Sequence, residues 1–72
     1  MAQYRVITML EKTFEAQRER ALLTLELLTK NPSGIGDHST NDFYANAEEA
    51  IRSLAEAEDV LNTLKIHYGK NE

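Results

Sequence analysis

Hydrophobic positions recur down the second half of the chain at Phe43, Ala47, Ala50, Leu54, Ala57, Leu61, Leu64 and Tyr68, in steps that alternate four and three without a break. A helix turns once in ~3.6 residues, so this spacing draws one stripe along its side, the pattern of a helix packed lengthwise on another. The first half repeats it with Ile7, Leu10, Phe14, Gln17, Ala21, Thr24 or Leu25, and Leu28, where Gln17 is a polar step in an otherwise apolar row. The stripes predict a helix over about 3–30, a loop over 31–39 and a helix over about 40–68, within a single domain 1–72. Matched helix lengths and one short connection predict an all-α, antiparallel two-helix hairpin.

Local signals support these limits. The first helical stretch has no glycine or proline and is rich in Glu, Leu, Arg and Ala, all good helix formers. Asn31-Pro32 ends it, because proline disfavours helical geometry in the residue before it and lacks an N–H. Ser39 or Thr40 is the expected N-cap of the second helix, with Asp37 a competing cap and Asp42 in the first turn, where negative charge is favoured. Glu26–Lys30 and Glu48–Arg52 stand at ion-pair spacing. Gly69 is the expected left-handed stop, and Lys70-Asn71-Glu72 a frayed tail.

The chain carries more apolar surface than one stripe per helix requires. Met9, Ala16 and Leu23 recur every seven residues with Leu27 beside them, on the side of the first helix opposite Ile7, Phe14 and Ala21. Tyr44, Ile51 and Ala55 widen the second stripe on one side and Val60 on the other. The expected oligomer interface is Met9, Ala16, Leu23 and Leu27, with Tyr44 and Ile51 across the groove.

Composition sharpens that expectation. A chain of 72 residues is close to the lower limit for a self-sufficient core, and small scaffolds commonly need a staple. Cysteine is absent and there are two histidines, which excludes disulfides and argues against a zinc site. Self-association remains, a homodimer pairing into a four-helix bundle, with a higher oligomer or a foreign helical protein partner as the other solutions. Net charge is −4, with five Lys/Arg against four Glu in residues 1–30 and three against eight acids in residues 31–72. The overall sign disfavours nucleic acid, and the opposite bias of the two halves favours their pairing. No apolar run is long enough for a membrane span and no signal pattern is seen, so a soluble, cytoplasmic protein is expected.

The loop is the candidate site. Gly34 and Gly36 permit left-handed backbone that would present N–H groups to an anion, with Asp37 and His38 adjacent. Turn chemistry accounts for each of these residues just as well, and that reading is preferred. Glu48, Glu49, Glu56, Glu58 and Asp59 read as a solvated face. Neither histidine has a Glu three residues before it, so the spacing used by di-iron bundles is missing. The expectation is a non-enzymatic protein with no cofactor and no metal.

The string NPSGIGDH at 31–38, between the Leu-rich stretch Leu22–Leu28 and the acidic AEAEDVLNTL at 55–64, resembles small helical-hairpin proteins of tailed bacteriophages. The resemblance spans most of the chain. It implies a compact accessory protein made in the cytoplasm of an infected bacterium, and implies no activity. A second likeness, of architecture alone, is to plasmid-encoded hairpins that dimerise and bind paired RNA loops. It makes an RNA-binding hairpin dimer the alternative function. Arg5, Lys12, Arg18 and Arg20 would serve it, but Glu11, Glu15 and Glu19 interleave with them and blunt a phosphate-binding stripe.

Overall fold

The computed structural model describes residues 2–30 and 40–69. It consists of α1, Ala2–Lys30, and α2, Thr40–Tyr68. Both limits agree with the sequence pattern within a residue or so, the ordinary uncertainty of a helix end. The expected loop residues Gly34, Gly36, Asp37, His38 and Ser39, and the tail from Lys70 onward, lie outside the described residues.

Each helix has 29 residues, a length of about 43 Å at the standard rise. Nine residues separate them, and a fully extended connection of that size reaches only about 35 Å. It cannot return to the start of α1, so a parallel pair is excluded and the helices must run antiparallel. The contacts agree: the middle of α1, at Gln17, reaches Ser53 and Glu56, while Ala21 and Thr24 further along α1 border a groove with Asn46 and Ala50. Rising number on α1 meets falling number on α2. The result is an all-α hairpin, a rod of 50 × 18 × 17 Å.

The buried residues among those described are Ala21 and Leu28 on α1 and Ala50, Ala57 and Leu64 on α2, with Ala57 at 0 % exposure. Alanine in the middle of the seam lets the helix axes approach, because interaxial distance follows side-chain size at the contact. Around this line lie half-buried residues: Ile7, Leu10, Phe14, Thr24 and Leu25 on α1, and Phe43, Ala47, Leu54 and Leu61 on α2.

Several local expectations change in the structure. Tyr68 continues the stripe in sequence yet is 55 % exposed. In the antiparallel pairing it stands level with the first residues of α1, where little helix remains to cover it. Leu54 and Leu61, mid-stripe and therefore expected as core, are half-buried flanking residues, since a single neighbouring helix covers a stripe from one side only. Lys30 Nζ and Glu26 Oε2 pair at 2.8 Å as the spacing implies, whereas no Glu48–Arg52 ion pair forms among the described residues. The described ion pairs, Lys12–Glu15, Arg18–Glu19 and Lys30–Glu26, all lie within α1.

Gly69 does end α2, though not in the left-handed region. Its N–H donates to the Lys65 carbonyl at 2.9 Å, and a Cβ built on it would fall against that same backbone oxygen inside contact distance. The glycine is required by close approach of backbone rather than by positive φ.

Two stability outcomes follow from the position of the seam. Leu28→Ala and Leu64→Ala should each cost about 2–5 kcal/mol and lower the melting temperature more than Leu54→Ala does. Ala57→Leu should destabilise by about 1–3 kcal/mol, because added methylenes have no space between the helices. Thermal unfolding followed by circular dichroism measures both. A Leu54→Ala loss as large as that of Leu28→Ala would place the seam elsewhere.

Candidate interaction surface

The midpoint of the seam holds a polar contact. Gln17 Nε2 donates to the Ser53 backbone carbonyl at 3.0 Å and to Glu56 Oε1 at 2.8 Å. Ser53 O is a mid-helix carbonyl, so it accepts this bond in addition to its place in the α2 ladder, which a carbonyl with two lone pairs allows. Gln17 thereby ties one level of α1 to one level of α2. A polar residue at a seam position fixes register at some cost in stability.

A shallow groove of about 350 Å³ opens beside this contact. Arg20 and Thr24 form its α1 wall, Asn46, Glu49 and Ser53 its α2 wall, and Ala21 and Ala50 its floor. The lining is polar over an alanine floor, with neither the enclosure nor the apolar walls of a small-molecule site. No three metal-ligating side chains converge among the described residues.

The groove also shows which side of the hairpin each apolar residue occupies. At about 100° per residue, Arg20 is displaced from buried Ala21 in one sense around α1, and Met9, Ala16, Leu23 and Leu27 follow it further round in that sense. On α2 the groove residues Asn46, Glu49 and Ser53 are displaced from Ala50 in one sense, while Tyr44 and Ile51 are displaced by about 100–120° in the other. The expected interface residues thus separate. Met9, Ala16, Leu23 and Leu27 share the groove side and outer flank of α1, while Tyr44 and Ile51 lie beyond the seam on the opposite face. Half-buried Leu25 and exposed Leu22 fall on that same side of α1 by helical rotation, and Tyr44 meets Phe43 edge to face at 5.7 Å between ring centroids.

These six side chains are all exposed, Met9 at 58 % and Leu23 at 55 %. The structure adds Val6 to the α1 row, since it is half-exposed and lies between the groove side and Met9. Its step of three before Met9 was the signal available in the sequence. The role of Gln17 had a signal too, as the polar step in an apolar stripe. Asn46 and Ser53 had none, because an isolated amide or hydroxyl on a helix looks the same whether or not it lines a groove.

The basic residues do not collect into one stripe. Arg5 and Lys12 lie on the outer edge of α1 and Arg20 on the groove wall, while Arg18 falls on the other side of the seam, its Nε 3.4 Å from Glu19 Oε2. Tracking a phosphate backbone requires contiguous positive charge. No helix among the described residues is long and apolar enough to cross a membrane.

Compared with known protein families, curated proteins and solved structures, the chain finds no match in any of the three.

The polar contact at the centre makes a specific prediction. Gln17→Ala should lower stability by about 0.5–1.5 kcal/mol, the net worth of a typical hydrogen bond. Gln17→Leu should keep or raise the melting temperature while broadening amide resonances in nuclear magnetic resonance spectra, because an apolar seam permits neighbouring registers. Sharp, wild-type-like spectra for Gln17→Leu would show that Gln17 does not set the register.

Proposed function

We propose that this chain is a small non-enzymatic interaction protein that acts as a self-associating helical hairpin, two copies joining into a four-helix bundle. The observation that carries the reading is the mismatch between what the hairpin buries and what it leaves in water. Among the described residues nothing larger than leucine is buried, while Val6, Met9, Leu22, Leu23, Leu27, Tyr44 and Ile51 are all exposed. The accessible surface is 5889 Å², against about 4,500 Å² for a compact monomer of this mass. The radius of gyration is 15.8 Å, where a compact domain of this length has about 11 Å. A standard interface removes about 800 Å² from each partner, so pairing would take away more than half of that excess. The likeness of the 31–38 string to phage hairpin proteins supports an accessory role in the cytoplasm of an infected cell.

Sedimentation equilibrium at micromolar concentration tests the reading. Wild type should be dimeric. Leu23→Glu, which puts a charge into the α1 row, should shift the equilibrium to monomer or unfold the chain, and Arg52→Ala, on the solvated side of α2, should leave it unchanged. A wild-type protein that is monomeric and fully helical would overturn self-association and direct the search to a heterologous helical partner.

A further inference from the structure

The outer flank of α1 carries a second regular seam. Val6, Met9, Thr13, Ala16, Arg20, Leu23 and Leu27 follow one another in steps of three and four, the repeat of a helix that packs lengthwise. This seam is separate from the one that α2 covers. Thr13 turns its hydroxyl back to the Met9 carbonyl at 2.9 Å, which leaves its methyl group to the surface. Arg20 at the groove wall is the one charged member.

The row is nearly symmetric about Ala16. Met9 and Leu23 stand equally far from it on either side, and Val6 and Leu27 extend the two ends. The smallest side chain is at the centre. Beside this row, at intervals of seven residues, runs a column of four exposed charges, Arg5, Lys12, Glu19 and Glu26, two positive and then two negative. Reversed end to end, that column is its own complement. A second copy of α1 laid antiparallel with its two-fold axis near Ala16 brings Arg5 to the partner's Glu26 and Lys12 to the partner's Glu19. It also sets the Val6–Met9 end against the partner's Leu23–Leu27 end. A parallel two-fold copy would place the two columns on opposite sides of the pair, where they cannot meet. Closure by a two-fold axis requires this kind of self-complementary patch, and charge pairs flanking a helical seam select orientation.

We propose that the dimer is built α1 on α1, antiparallel, with its two-fold axis near Ala16 and the Arg5–Lys12–Glu19–Glu26 column setting the orientation. This rests on the self-association proposed above and assigns its surface. The α2 helices then flank the pair, and the Tyr44–Ile51 face stays outside the dimer. Within one chain Lys12 is 3.9 Å from Glu15 and Glu26 is 2.8 Å from Lys30. These pairs are on exposed side chains, so the same groups remain open to a second partner across the interface.

The test uses charge reversal of the full chain in low salt. Glu19→Lys with Glu26→Lys makes the column wholly basic, and Arg5→Glu with Lys12→Glu makes it wholly acidic. Each double variant alone should dimerise at least tenfold more weakly than wild type, and the difference should shrink at high salt as screening sets in. Mixed in equal amounts they should form a one-to-one heterodimer, identified by its mass in native mass spectrometry. All four reversals together restore a self-complementary column, so that variant should homodimerise within about threefold of wild type. Circular dichroism shows whether each variant is folded. A second probe exploits the absence of native cysteine: Ala16→Cys should crosslink to itself under mild oxidation much faster than Ile51→Cys. A wild-type dimer whose affinity is indifferent to the reversals, or which crosslinks through Ile51→Cys instead, overturns this assignment while leaving self-association standing. A monomeric wild type overturns both.

Discussion

Two helices have one line of contact, and here that line is made of alanine. Ala21, Ala50 and Ala57 occupy the middle of the seam, with Leu28 and Leu64 toward opposite ends of the pair. Small side chains allow close approach, and close approach is what makes a single line of contact dense. The same choice limits how much apolar area the pair can remove from water, because an alanine brings little area with it. Burial, shape and exposed surface all follow. Apart from Leu28 and Leu64, the large hydrophobic residues described sit beside or behind the seam, and a long thin rod has too much surface for its volume.

Gln17 stands at the centre of that line. Ala50 and Ala57 stand seven residues apart, so sliding α2 by two turns would exchange one for the other opposite Ala21. The bonds from Gln17 to the Ser53 carbonyl and to Glu56 are made at one register. Direction has a separate cause, because the nine-residue connection cannot span a helix length and forces the antiparallel pairing before any side chain is considered.

What remains exposed is organised rather than scattered. The α1 row and the Tyr44–Ile51 cluster fall on opposite sides of the seam, so one flat interface cannot cover both. A two-fold pair would take one and leave the other to solvent or to a further partner. Without cysteine to staple the hairpin, the proposed association would supply added stability to so small a domain. Its strength would then depend on concentration in a way that the stability of a self-sufficient monomer does not.

The two helices were legible in the sequence because helical periodicity is a local property, written in the four-and-three steps from Phe43 to Leu64 and in the stop at Asn31-Pro32. The antiparallel direction was legible from chain length alone. Depth of burial was not. Leu54 and Ala57 are both members of the same stripe, but which one lies on the line between two axes depends on how the helices are rotated about themselves. Tyr68 kept the period and lost its neighbour, since coverage at a helix end is set by where the other helix stops. The apolar rows were visible as rows, yet the placing of Met9 and Leu23 on one face and of Tyr44 and Ile51 on the other required both rotations at once. The sequence by itself determined the elements, their ends and their direction, because these depend on residues near in the chain and on its reach. The tertiary structure alone decided register, depth and the sharing of faces, because these depend on the relative rotation and offset of two helices, quantities that no position carries by itself.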